Sequence, residues 1–367
     1  MKVTTFLLIA MYFLFNPSGT TAQIISNKFM DSLAAEIREK YAIPAIAVCV
    51  IKSDTVYHSV QGTTKVNGTK EVVLKSKFHL GSNSKAITSF IAMKMVKEEK
   101  IHFHTKFIDM FPELKDSIRK EYQLLTLGKL LSHRAKVQPY TSGLDFEKLP
   151  RFEGNVSERR CAFSKYVLKE KSVQKGIYSN AGYVIASLML EKASSQTFEQ
   201  LVKDYLRNLD LDCYFGFPNK ESKLNPWGHW KENEELIPLE ESHAYKLEDY
   251  MLAAGDVSMD IVDYSRFIQI HLQGLHGRSN YLEKEAFETL HFGLKGLSYG
   301  WGNKMNILQK ISFHDGSAGT YYCHTYMIPK KDLAIIIMSN SAKSEQIEGI
   351  YQLRKQLVRN ENKYHKL

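Results

Sequence analysis

Two uninterrupted apolar runs at opposite ends of the chain constrain its fold more than anything between them. Ala45-Ile46-Ala47-Val48-Cys49-Val50-Ile51 and Leu333-Ala334-Ile335-Ile336-Ile337-Met338 carry no charge and are rich in β-branched residues, the pattern of strands buried in a core. After a Ser53-Asp54 turn, Thr55 to Val60 reads as the hairpin partner of the first run. Ile311-Ser312-Phe313 and Thr320 to Ile328 read as strands ahead of the second, with Lys330-Lys331-Asp332 as the hairpin turn. From about Thr105 to Ala253 the apolar period is helical instead. Strands at both ends and helices between predict an α/β (α+β) fold. Its antiparallel sheet is built from N- and C-terminal strands, is flanked by helices and carries an inserted all-helical domain. The sheet subdomain covers about 23–80 and 296–367 and the helical subdomain about 81–295, together one catalytic domain over 23–367.

Residues 1–22 stand apart from this pattern. Lys2 precedes a charge-free apolar run from Val3 to Phe15, Asn16-Pro17-Ser18-Gly19 breaks it, and Thr20-Thr21-Ala22 supplies small residues before Gln23. This is the layout of a secretory signal peptide cut after Ala22, and it implies a secreted, periplasmic protein. The run falls short of the roughly 20 apolar residues that a membrane span requires, so no stable membrane insertion is expected after cleavage. The 367 residues carry a net charge of +9, with basic residues scattered and no interleaved aromatic pattern. That describes a solvated basic surface and not a nucleic-acid site. Cys49, Cys161, Cys213 and Cys323 show no C-x-x-C spacing, which argues against a metal site and leaves any disulfide pairing open.

The chemistry concentrates at Phe78-His79-Leu80-Gly81-Ser82-Asn83-Ser84-Lys85. A helix starting near Ser82 puts that hydroxyl and the Lys85 amine on one face, three residues apart. A serine hydroxyl needs a base, and a desolvated lysine with a lowered pKa can act as one. Ala86, Ile87, Phe90, Ile91, Ala92, Met93 and Met95 make the following helix apolar over most of its circumference, the setting that desolvates the amine. The other Ser-x-x-Lys pairs, Ser117/Lys120 and Ser172/Lys175, sit in charged stretches and read as surface. Two further signals follow in order. Tyr178-Ser179-Asn180 opens a helix, and His314-Asp315-Gly316 lies directly before a strong strand. A tyrosine hydroxyl near a lysine can be held partly ionised and shuttle a proton, and an asparagine amide can hold a carbonyl or steady the lysine. Gly316 allows a ligand to approach the strand edge. His291-Phe292-Gly293 fits the third pattern too, without a strand after it.

The ordered trio resembles the serine β-lactamase and penicillin-binding protein superfamily, nearest the class C β-lactamases and their esterase and DD-peptidase relatives, over almost all the mature chain. Phe78 to Lys85 looks like the family's nucleophile motif, Tyr178 to Tyr183 is similar to its Tyr-Ser-Asn-x-Gly-Tyr segment, and His314-Asp315-Gly316 to its Lys/His-x-Gly strand. Ala253 to Val257 and Tyr299-Gly300-Trp301-Gly302 also look like family landmarks. The resemblance implies a β-lactamase/transpeptidase-like fold and a monomeric serine hydrolase that needs no cofactor and no metal. It would cleave a β-lactam, a D-amino-acid peptide or a small ester. By the same resemblance Ser82 would be acylated, Lys85 would be its general base or proton relay, and Tyr178 would share proton transfer and activate the deacylating water. Asn180, His314 and Gly316 would bind substrate, and the Ser82 and Ser317 amides would form the oxyanion hole.

Two departures bear on specificity. The family's Leu-Leu-x-His-Thr-Ser-Gly is replaced by Leu130-Leu131-Ser132-His133-Arg134-Ala135-Lys136, which implies a loop of another shape. Asp315 places an acid where a substrate carboxylate is often held, which favours an esterase or peptidase of other preference over antibiotic hydrolysis. Two rival readings exist. One is a non-catalytic penicillin-binding sensor or scaffold of the same fold. The other is an α/β-hydrolase using Ser298 in Gly296-Leu297-Ser298-Tyr299-Gly300, which would require a strand before the serine and a helix after it.

Overall fold

A computed structural model describes residues 28–361 apart from 234, 244 and 246. The segment read as a signal peptide lies outside the described residues. Among the described residues eleven strands run in chain order: β1 Ala45–Ile51, β2 Val56–Gly62, β3 Lys77–His79, β4 Tyr214–Phe215, β5 His229–Glu232, β6 Glu235–Pro238, β7 Val257–Asp260, β8 Gly302–Met305, β9 Lys310–Ser317, β10 Tyr322–Ile328 and β11 Leu333–Ser339. Six of them form one antiparallel sheet in the order β2-β1-β11-β10-β9-β8, so the two termini are joined where β1 pairs with β11, Val48 opposite Ile337.

The two apolar runs are continuous because both faces of this sheet are covered. On one face Ile46, Val48, Val50, Ile335 and Ile337 pack against Met30, Leu33 and Ile37 of the helix Lys28–Lys40, and against Ile350, Leu353 and Leu357 of Ser344–Arg359. On the other face Ala47, Cys49, Ile336 and Met338 join the main core with the helices Ser84–Lys97 and Ile261–Leu275. Ser84–Lys97 is buried around nearly its whole circumference, as its sequence requires of a central helix. All four cysteines are free thiols, Cys49 and Cys323 within buried strands.

Two features differ from the sequence reading. The inserted region is mainly helical but not wholly so: it contributes β4 and β7 to a small sheet with β3, in the order β3-β7-β4, and forms the hairpin β5-β6. And β9 does not stop at Phe313. His314, Asp315 and Gly316 lie within it, His314 opposite Thr325 and Gly316 opposite Cys323 on β10. Burial alternates along β9 to its end, a period-two pattern masked by the polar identity of the residues.

The core also encloses neutral histidines. Burial, reinforced by the Lys75 charge, pushes His58 down to about 4, burial pushes His229 down to about 4, and it takes His271 to about 3. The unfolded chain binds these protons first as pH falls, so the folded state loses stability between about pH 6.5 and 4, each histidine contributing about 1.4 kcal/mol per pH unit within its window. Asp256 and Asp263, whose carboxyls burial pushes up, act in the opposite sense and are outnumbered. Urea unfolding should therefore show a clearly lower midpoint at pH 5 than at pH 7; equal midpoints would contradict this.

Candidate active site

The site is assembled where the sheet, the buried helix and the inserted region meet. Ser82 lies in a 3₁₀ turn, Gly81–Asn83, that runs directly into Ser84–Lys97. The turn is fastened on several sides. Asn83 donates from Nδ2 to Cys323 O at 2.9 Å and accepts at Oδ1 from the Tyr264 hydroxyl at 3.0 Å. Ser84 Oγ donates to Gly81 O at 2.8 Å and accepts from Val257 N at 3.1 Å. Against the turn lies the end of β9. A Cβ on Gly81, whose φ is +52°, would stand 2.6 Å from Ser317 N, and one on Gly316 would stand 2.8 Å from Ser82 N and overlap Leu80 O. Only two glycines let these backbones come so close. The Ser82 and Ser317 amides thereby border the same seam.

Lys85 is fully buried, and no carboxylate pairs with it among the described residues. Its Nζ lies 3.2 Å from Ser82 Oγ, 2.7 Å from Asn180 Oδ1 and 2.6 Å from Ala254 O. Burial pushes the amine well below its ordinary value. A neutral amine has two N–H groups and one lone pair. In that form the carbonyl oxygens of Asn180 and Ala254 can take the two N–H groups, which frees the lone pair to accept from the Ser82 O–H. Asn180 is itself fixed, donating from Nδ2 to Tyr140 O at 2.8 Å.

Tyr178 completes the cluster. Its ring lies under Lys85 Nζ, 4.7 Å from the centroid, and its hydroxyl lies beside Ser82 and 3.4 Å from His314 Nε2. Burial pushes the phenol well above its ordinary value, outweighing the opposing effect of Ser82. The partly ionised phenol expected from the sequence is therefore replaced by a neutral hydroxyl. His314 is pushed down to about 4, chiefly by burial, and its Nδ1 donates to Gly300 O at 2.6 Å. Nε2 then carries a lone pair towards Tyr178.

Ser82, Lys85, Tyr178, Asn180, His314, Gly316 and Ser317 thus converge. Asp315 does not point where the sequence reading put it. Strand alternation sends its side chain to the opposite face from His314, where Oδ1 accepts from His324 Nδ1 at 2.6 Å and from the Tyr322 hydroxyl at 2.9 Å. Burial raises this carboxyl, but His324 and Tyr322 together hold it below the usual value. Ser298 is no nucleophile elbow. It is buried in a turn ahead of β8, donating to Thr289 O at 2.9 Å, with no helix after it. His291 is buried in the helix Lys284–Phe292 against His271 and Ser312, far from the role its motif suggested.

The sequence reading missed three contributors. His133 stacks on Tyr178, 4.3 Å between centroids, and its Nδ1 accepts from Ser179 N at 3.0 Å. Its place after Leu130-Leu131-Ser132 was the available signal. The Ala254 and Gly300 carbonyls leave no trace in residue identity, because the backbone supplies them.

A serine hydroxyl, a buried amine, a phenol and the end of a strand thus meet at one place. The beta-lactamase family model matches residues 30–357, and the chain belongs to the beta-lactamase family. A beta-lactamase of Providencia stuartii is 21% identical over 384 residues, covering 93% of this chain and 94% of that protein.

 Protein flp of Staphylococcus aureus (strain MW2) is 19% identical over 343 residues, covering 91% of this chain and 67% of that protein. Among solved structures, a class C beta-lactamase from Rhodobacter sphaeroides superposes with a TM-score of 0.72 at 14% identity, covering 90% of this chain and all of that one. At this identity the likeness shows the fold. Family and fold are those of serine hydrolases.

The loop with the altered motif carries a local conflict. Lys136 stands where the family commonly has glycine, and its φ is +58°, in the left-handed region. Arg134 holds this loop by donating to Ser132 O, Leu297 O and Lys295 O at 2.9, 2.7 and 3.2 Å. Lys136→Gly should relieve the conflict and stabilise the fold by about 0.5–1 kcal/mol in urea unfolding, whereas a loss of stability would contradict the conformation.

Proposed function

We propose that the chain is a serine hydrolase that cleaves an ester or amide through an acyl-enzyme on Ser82. The observation that carries this reading is the surroundings of the buried Lys85 amine: Nζ stands 3.2 Å from Ser82 Oγ, and its other partners are the carbonyl oxygens of Asn180 and Ala254, with no carboxylate among the described residues. As Ser82 Oγ attacks the substrate carbonyl, its proton moves to Lys85 and a C–O bond forms. The tetrahedral oxygen is received by the Ser82 and Ser317 amides, which stabilise charge that exists only in the transition state. On collapse the bond to the leaving group breaks. The proton reaches that group through the neutral Tyr178 hydroxyl, which lies beside Ser82 and 3.4 Å from His314 Nε2. A water molecule then takes the leaving group's place and the same groups run in reverse.

Substrate preference follows from the third motif. His314 is a neutral imidazole, and Asp315 is turned to the far face, so this edge offers hydrogen bonds and not a fixed cation. That supports small esters and peptide amides over substrates that depend on a carboxylate contact there. Secretion, and action as a monomer on a small-molecule or peptide substrate, belong to the same proposal.

Mass spectrometry after exposure to a fluorophosphonate should find one adduct, on Ser82. Ser82→Ala should abolish it and lower turnover by at least about a thousandfold, while Ser298→Ala leaves both intact. An adduct on another residue would overturn the assignment. The same spectra, taken on exported protein, should show a chain beginning at Gln23. Turnover with nitrophenyl esters, D-Ala-D-Ala peptides and nitrocefin then separates the substrate classes, with esters or peptides expected ahead of nitrocefin.

A further inference from the structure

Directly beneath the nucleophile turn lies a second polar pair that takes no part in the proton transfers above. His79, the last residue of β3, is 1% exposed. Its Nε2 lies 3.0 Å from Asp256 Oδ1, and its Nδ1 lies 3.1 Å from Gly81 N. Phe217 meets the ring edge-on at 5.1 Å and Tyr321 lies at 5.8 Å, so the pair is enclosed by aromatic side chains.

The hydrogen-bond inventory fixes the tautomer. Gly81 N–H can only donate, so Nδ1 must present a lone pair. In a neutral imidazole the proton is then on Nε2, and the carboxylate of Asp256 accepts it. Asp256 belongs to a segment that meets the nucleophile region at nearly every residue. Thr88 Oγ1 donates to Ala253 O at 2.8 Å, Lys85 Nζ reaches Ala254 O, and Leu80 N donates to Val257 O at 2.9 Å. A Cβ on Gly255 would stand 3.8 Å from Ser82 N.

We propose that Asp256 and His79 are positioning residues for the nucleophile: the carboxylate selects the Nε2–H tautomer, and the freed Nδ1 holds the Gly81 amide and with it the left-handed Gly81 that aims the Ser82 amide and hydroxyl into the seam with Ser317. The inference rests on the reading of Ser82 as nucleophile. It differs from a packing role in what it demands of the side chain at position 79, namely an acceptor at the place of Nδ1.

Two variants separate these roles. His79→Asn keeps an oxygen near the place of Nδ1, while His79→Gln sends its amide towards Asp256 and leaves Gly81 without an acceptor. Asp256→Asn removes the charge that selects the tautomer. The rate of fluorophosphonate labelling at Ser82 should fall least in His79→Asn and at least about tenfold in His79→Gln and Asp256→Asn, with melting temperatures close to that of the wild type. Nitrogen-15 spectra of histidine-labelled wild-type protein, assigned through His79→Asn, should show Nε2 protonated and Nδ1 bare. A wild-type ring protonated at Nδ1 would overturn the inference. So would labelling by His79→Gln as fast as by His79→Asn, or wild-type labelling by Asp256→Asn. Should a variant fail to fold, the wild-type tautomer decides. Absence of wild-type labelling at Ser82 would count against the nucleophile reading, and the tautomer would still decide whether His79 holds the turn.

Discussion

The burial of one lysine amine without an acidic partner is the constraint on which the rest of this molecule depends. In water an ammonium group is heavily solvated, and withdrawing it into a core is expensive unless a carboxylate compensates. Here the partners of Lys85 Nζ are two carbonyl oxygens and a hydroxyl, none of them charged, so nothing in contact offsets the desolvation of an ammonium group. Every surrounding element is arranged to keep that set in place. The helix Ser84–Lys97 is apolar around its circumference because it must carry the lysine into the core. Asn180 is held by Tyr140, and Ala254 belongs to a segment bonded to the nucleophile turn at several points.

The same logic extends to the other titratable groups of the cleft. His314, His133 and Tyr178 are all driven towards their neutral forms, first by burial. The site therefore gathers groups that favour their neutral forms and can accept or donate protons. The backbone amides at the seam of Gly81 and Gly316 supply its fixed dipoles. Asp315, the one acid in the third motif, is tied to the opposite face of β9 by His324 and Tyr322, where it braces β9 against β10.

Much of this was legible in the sequence, for identifiable reasons. Strands covered on both faces have no polar residues to obscure them, so β1 and β11 announced themselves. Ser82 and Lys85 were legible because a three-residue spacing in front of an apolar helix forces proximity. The end of β9 was hidden because His314, Asp315 and Gly316 suggest a turn by composition while alternating like a strand. Reading them as strand would have sent Asp315 to the opposite face from His314. The short strand β7 was hidden because its four residues include a serine and an aspartate and its partner β3 lies far away in sequence. The carbonyls of Ala254 and Gly300 could not be found at all from residue types, since any residue supplies a carbonyl and only the fold aims it.

The protonation state of Lys85 is the most direct test of this account. In protein carrying carbon-13 at lysine Cε, the Lys85 resonance, assigned by its loss in Lys85→Met, can be followed against pH. A midpoint well below the ordinary lysine value of about 10.4, with the neutral amine dominant at pH 7, is the predicted result. A resonance that remains that of an ammonium group up to or beyond that ordinary value would contradict the account.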